Sequence, residues 1–175
     1  FGQVEADPSV LNLSAFETRL NEKRPFFVQG ANFFSSWMRV FNSRRIGQRP
    51  GFIEPDAGDI VDRPNETTIL SAAKILGQTS TGVKYGIINA VTNQEYASLE
   101  LEKDGKIVKE DFLIEPYSNY FVGRVTKPFI NELSAIGLMA TDLKREGYSD
   151  VATSLKGDLL INLLHNKFSF TGQNG

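Results

Sequence analysis

The stretch "TTILSAAKILGQTSTGVKYGIINAVT", residues 67–92, decides how the fold is read. Two runs flank the turn-forming "STG" at 80–82, and both alternate with a period of two. In the first, Ile69, Ala73 and Ile75 fall on one side and Thr68, Lys74 and Gln78 on the other. In the second, Val83, Tyr85, Ile87 and Val91 oppose Lys84, Gly86 and Thr92. Successive side chains of a strand point to opposite faces, so each run predicts a strand with one apolar and one polar face.

The same period recurs outward from this hairpin. Residues 117–127 place Phe121 and Val125 opposite Ser118, Arg124 and Thr126. Residues 134–144 place Ile136, Leu138 and Ala140 opposite Gly137 and Thr141. Residues 151–164 place Leu155, Leu159, Ile161 and Leu163 opposite Ser154, Lys156, Asp158 and Asn162, and 167–172 alternate Phe168 and Phe170 with Ser169 and Thr171. Residues 36–45, "SWMRVFNSRR", form a further strand candidate that is amphipathic at either period. The pattern predicts seven antiparallel strands paired in sequence order. One short helix is expected in "NLSAFETRL", where Ser14 and Glu17 have the spacing of a capping box.

Composition excludes several classes. The 175 residues carry a net charge of -2, which is not a nucleic-acid footprint. There is no cysteine, hence no disulfide, thiolate metal site or cysteine nucleophile, and the single histidine, His165, excludes a multi-histidine metal site. No apolar run approaches the length of a membrane helix. A mean hydropathy of -0.23 suits a soluble β-domain and a membrane β-barrel alike, because only alternate residues of a barrel strand face lipid.

Loop lengths favour the barrel. Short connections near 80–82, 128–133 and 164–167 alternate with longer ones, long at 46–66 and 93–116 and intermediate at 145–150. Outer-membrane barrels have short periplasmic turns and longer external loops, whereas a soluble sandwich has no reason to alternate them. The expected fold is therefore all-β: an antiparallel up-and-down meander, forming part of an open outer-membrane β-barrel. Residues 1–35 would be a plug-like lead-in with a short helix, and 36–175 the first strands of an incomplete barrel. With an odd strand count, this set is expected not to close on itself.

A family resemblance points the same way. "FGQVEADPSVLNLSAFET", "EKRPFFVQGANFF", "FNSRRIGQRP", "TTILSAAKILGQTSTGVKYGIINAVTNQE" and "EPYSNYFVGRV" follow in the order and spacing of a known family. The chain resembles domain of unknown function 5916, with departures at Val28-Gln29 and at Asn42. The resemblance implies a Gram-negative outer-membrane barrel that follows a carbohydrate-binding domain of the family-9 type. Its implied partners are outer-membrane lipid, the remainder of its own barrel, and a saccharide held by the upstream domain. Phe26, Phe27, Phe33, Phe34 and Trp37 then read as an interfacial aromatic cluster leading into the first strand, the alternative being an ordinary core under the short helix.

Few residues suggest chemistry. Arg39, Arg44 and Arg45 are the candidate ligand-binding set: on a lumen face they would grip carboxylates, phosphates or sugar hydroxyls, or else pair with acidic side chains inside the barrel. The loop containing Glu54, Asp56, Asp59, Asp62 and Glu66 has oxygen donors for calcium but not EF-hand spacing, and otherwise reads as a solvated acidic loop. The glycines Gly77, Gly82 and Gly86 form no phosphate cradle. No catalytic pair, cofactor motif or metal site emerges. Three functions stay open: a barrel for passage or display linked to saccharide handling, a soluble carbohydrate-binding β-domain, and a membrane-associated hydrolase.

Overall fold

Alternation at period two becomes strand almost everywhere it was read. The computed structural model describes residues 22–34, 41–55, 58–103, 105–129, 131–149, 152–163 and 166–174. The expected helix in 12–20, Trp37, Arg39 and His165 lie outside them. Two short α-helices, α1 (Pro25–Val28) and α2 (Ala31–Phe34), precede a 3-10 turn at Ser43–Arg45. Nine strands follow among the described residues: β1 (Asp59–Asp62), β2 (Ile69–Gln78), β3 (Lys84–Thr92), β4 (Glu95–Lys103), β5 (Lys106–Glu115), β6 (Ser118–Phe129), β7 (Asn131–Arg145), β8 (Ala152–Leu163) and β9 (Asn166–Asn174).

The chain divides into two units. The first comprises Phe1–Gln29, Ser43–Leu70 and Thr92–Tyr117, and the second Gly30–Asn42, Ser71–Val91 and Ser118–Gly175. The first unit holds a three-stranded sheet in the order β1-β4-β5. Its β4–β5 hairpin keeps register from Tyr96↔Leu113 to Lys103↔Lys106, with Gly105 at φ +70° in the turn, a backbone state that glycine enters without steric cost. Ion pairs between Lys103 and Glu110 and between Lys109 and Glu100 lie along it, and Ala97, Leu99 and Ile114 are buried. The Glu115 carboxylate accepts the backbone N–H groups of Gly51 and Phe52 at 3.1 and 3.0 Å, which ties the 50–52 loop to the end of β5.

This hairpin corrects the expectation that 93–116 is a long open connection. The other long connection, 46–66, likewise contains β1 and is pinned by Arg63, which donates to the Pro50 carbonyl and to Glu54. Alternating loop length therefore loses its force as an argument for a barrel. A second correction concerns 36–45. Its described end, Ser43–Arg45, is a 3-10 turn rather than strand.

The second unit holds the six-stranded sheet, in the order β2-β3-β6-β7-β8-β9. These are the expected runs 67–78, 83–92, 117–127, 134–144, 151–164 and 167–172, adjacent in the expected order. The β6–β7, β7–β8 and β8–β9 pairs are antiparallel, and the register shifts only near Pro128/Phe129. The Thr79–Val83 turn closes with Thr79 N–H donating to the Val83 carbonyl at 2.8 Å, and Gly82 takes φ +81°. Among the described residues β2 and β9 are the sheet's edges, and no closed barrel is formed.

Candidate functional site

Two of the motifs in the family resemblance meet in the first unit. The Arg24 guanidinium donates to both Glu22 carboxylate oxygens at 2.9 and 2.8 Å, to the Ile46 carbonyl at 2.6 Å and to the Ser43 carbonyl at 2.8 Å. The Ser43 hydroxyl donates to Glu22 Oε2 at 2.6 Å, and Arg24 stacks 4.3 Å over the Phe27 ring. "EKRPFF" and "SRRIG" thus form one clamp, with Phe27 and Ile46 buried beside it. Burial alone would raise the Glu22 pKa, but hydrogen bonds from Arg24 and Ser43 and the Arg24 charge outweigh it and hold the carboxyl below its ordinary value. Every Arg24 donor named here is spent on the protein itself, so the clamp positions the chain.

Of the arginines expected to bind ligand, Arg44 is half-buried and Arg45 exposed in the 3-10 turn of the first unit, and Arg39 is outside the described residues. In the aromatic cluster, Phe27 and Phe34 are buried at 3% exposure within one-turn helices, in the first and second unit respectively, as the core alternative expects of these two rings, while Phe26 and Phe33 are half-buried and Trp37 is outside the described residues.

A different polar cluster forms on one face of the six-stranded sheet. Directly opposed residues share a face, and the register gives the rows Arg124–Met139–Lys156 and Thr126–Gly137–Asp158. Arg124 Nη2 lies 3.3 Å from each Asp158 carboxylate oxygen, with the two side chains 10% and 22% exposed. Lys156 is 1% exposed. Gly137 makes the pairing possible: a Cβ there would lie 2.5 Å from Asp158 Oδ2. The α2 helix covers the same face. A Cβ at Gly86 would lie 2.7 Å from the Phe33 ring, and the Arg124 guanidinium is 5.9 Å from that ring's centroid. Lys74, Leu76, Lys84 and Ile88 lie on this side of β2 and β3, since Leu76 also packs at Gly86.

The opposite face is apolar and open. Its rows are Val125–Leu138–Gly157, Gly123–Ala140–Leu155 and Lys127–Ile136–Leu159. Ile75, Ile136, Leu138 and Leu155 are 50–59% exposed, and Tyr85, Ile87, Phe121 and Val125 are exposed too. The charged side chains on this face of β6 and β7, Lys127, Asp142 and Lys144, lie toward the strand ends. The face assignment expected for Phe121, Val125, Ile136, Leu138, Leu159 and Ile161 against Arg124, Lys156 and Asp158 is what the register gives. Sequence reading missed Phe33 as a cover and the two glycine notches that seat Phe33 and Asp158.

Among the described residues no group of three or more His, Cys, Asp or Glu side chains gathers to hold a metal ion, and no helix is long and apolar enough to cross a membrane. In the acidic stretch 54–66, Asp59 and Asp62 lie in β1 and Glu54 pairs with Arg63 at 2.9 Å. No curated protein and no solved structure matches the chain. One family model matches residues 1–174, and with the clamp its motifs build and the all-β sheets they sit among, the chain belongs to the family described as Domain of unknown function (DUF5916).

Proposed function

We propose that this chain supplies strands of a bacterial outer-membrane β-barrel. One observation carries the reading: the six-stranded sheet holds Arg124, Lys156 and Asp158 largely buried on one face and exposes apolar side chains on the other. Lys156 is 1% exposed while Leu138 and Leu155 are 53% and 54% exposed. In a water-soluble sheet that arrangement is unfavourable twice over. It desolvates charge, and it leaves unburied side chains whose burial would be worth roughly 1.5–3 kcal/mol each. In a bilayer the same arrangement is the stable one, with lipid outside and a polar interior.

Strand length supports the reading. The six strands run from 9 to 15 residues, and a tilted strand of about 9–11 residues spans the hydrocarbon core. The functional part of the proposal, passage or surface display linked to a saccharide, rests on the family resemblance alone.

The test is fractionation of a Gram-negative host producing the whole protein that carries this chain. The expected result is recovery in the outer membrane, resistance to salt extraction, and a band whose migration changes when the sample is boiled. Recovery as a monodisperse, detergent-free species with no heat-dependent migration would overturn the membrane reading in favour of a soluble β-domain.

A further inference from the structure

The aromatic stretch at 26–34 divides at Gly30. Helix α1, with Phe27, belongs to the first unit, and α2, with Phe33 and Phe34, belongs to the second. Gly30 takes φ +72°, a backbone state that strains any other residue, and a Cβ there would run into the Leu76 side chain on β2. From that point the chain crosses the charged face of the sheet. The Phe33 ring fills the notch at Gly86 on β3, beside Leu76, and its centroid lies 5.9 Å from the Arg124 guanidinium on β6. Strands β2, β3 and β6 are successive neighbours, so Gly30–Phe34 is a strap laid over three adjacent strands. Its cover reaches the charge cluster, since Arg124 pairs with Asp158.

We infer that this strap is a gate, with Phe33 as its latch: seated at Gly86 it obstructs the interior of the proposed barrel, and unseated it admits small hydrophilic solutes. The inference rests on the barrel reading, which makes the charged face the interior one. The strap is a single helical turn, in which Phe33 N–H donates to the Gly30 carbonyl at 3.0 Å, and Ala31 and Asn32 are exposed. Phe34 is buried at 3% exposure and meets two rings close to it in sequence edge-on, Phe33 at 5.4 Å and Phe41 at 6.3 Å. The strap thus keeps part of its apolar contact within its own segment, and Phe33 carries the contact with β3 and β6. Such a segment opens at lower free-energy cost than the paired strands beneath it.

What surrounds the strap holds when it moves. Arg24 and Ser43, which bracket it in sequence, bind each other in the first unit, and the Gly86 notch belongs to a strand paired on both sides. The closed state has a specific attraction of its own. The Phe33 ring draws the Arg124 cation and shields it from water, which strengthens its pairing with Asp158. Opening hydrates that pair without breaking any strand, so closed and open are two discrete states of one face.

The sequence contains no cysteine, which allows a reversible lock free of background. Phe33 Cδ1 lies 2.7 Å from where a Cβ at Gly86 would stand, so F33C with G86C brings two sulfurs within bonding reach. The experiment uses the whole protein in planar lipid bilayers, with potassium chloride as the conducting probe. F33A and the reduced F33C/G86C variant are expected to raise the open fraction by about tenfold or more, since each removes a contact made only in the closed state. Oxidation of the double variant is expected to return it to the low value, and dithiothreitol to release it again. F121A, which removes a ring from the opposite face of β6, is expected to leave conduction unchanged. Failure of the disulfide to form, equal conduction of the oxidised and reduced forms, or an equal rise in F121A overturns the gate. Retained heat-dependent migration in the same samples shows that the barrel stands, and loss of the barrel reading shows separately, in the fractionation.

Discussion

Leu138→Arg separates a lipid-facing sheet from a water-facing one by free energy. Leu138 stands opposite Val125 and Gly157 and is 53% exposed. On the same face, Asp142 is the next charged residue along β7, four positions away. Four residues at about 3.3 Å each put Leu138 about 13 Å along the strand from that boundary. With a strand tilt near 40°, the depth is about 10 Å, close to the middle of an apolar band about 25 Å tall. An arginine there should destabilise the folded protein by about 2–4 kcal/mol in a bilayer. At about 1.4 kcal/mol per factor of ten, the folded population relative to unfolded falls roughly 30- to 700-fold. In water the same exposed site should tolerate the change within about 0.5 kcal/mol. Thr153→Arg is the internal control, because Thr153 sits beside Asp142 at the boundary and donates its hydroxyl to that carboxylate at 2.6 Å. Its expected cost is about 0–1 kcal/mol. The assay is urea unfolding of the whole protein in phospholipid vesicles, followed by loss of heat-dependent migration. Equal, small effects at Leu138 and Thr153 would refute the lipid assignment of this face.

Other expectations follow from single contacts. Gly86→Leu should destabilise by about 1–3 kcal/mol through overpacking against Phe33 and Leu76, and Phe33→Ala in the same chain should recover much of it, measured as a double-mutant cycle. Arg24→Met should cost about 3–5 kcal/mol, because it leaves Glu22, 12% exposed, without its cation; a smaller loss than Lys103→Met, whose ion pair is exposed, would contradict the clamp. Glu22 has a depressed folded-state pKa, so its contribution to stability is full above about pH 4.5 and is lost as pH falls through the folded value. Glu22→Gln should therefore flatten the acid limb of a stability-versus-pH curve. Gly137→Val should break the Arg124–Asp158 pair by steric conflict, seen as a stability loss that Asp158→Ala largely masks.

The six-stranded sheet was legible because each of its strands alternates cleanly over most of its length. Period two survives any change in what covers a face, so pairing order and face assignment came through for β6, β7 and β8 together. The β4–β5 hairpin was equally periodic, with Ala97 and Leu99 alternating against Ser98 and Glu100, and its "KDGK" carried a turn signal. It was read as loop because charge dominates its outer face. In the structure that charge is paired across the strands, Glu100 with Lys109 and Glu110 with Lys103, and the strands survive it. Residues 43–45 failed for the opposite reason. "NSRR" fits strand and helix periods alike, and the hydrogen bonds that select the turn come from Glu22 and Arg24, about twenty residues away.

Long range also governs how the polar cluster of the sheet comes together. Local reading sees basic residues that are neighbours in sequence, as Arg44 and Arg45 are. Yet adjacency in sequence says nothing about adjacency on a sheet, where neighbours are set by register. Arg124 meets Asp158 because β6 and β8 flank β7 with aligned rows, and because Gly137 on β7 leaves space between them. The functional information in such a fold lies in pairs of small and charged residues at matching rows. A glycine at row Thr126–Gly137–Asp158 gives the ion pair room, since a side chain there would crowd the carboxylate. The same logic puts Phe33 at Gly86. Notches occur on both faces: Gly86 and Gly137 lie on the charged one, and Gly77 lies on the apolar one, where a Cβ would run into the Tyr85 ring. Close approach through glycine is thus a device of strand register on both sides of the sheet, and what separates the sides is what each notch seats, Phe33 and the Asp158 carboxylate on one and Tyr85 on the other.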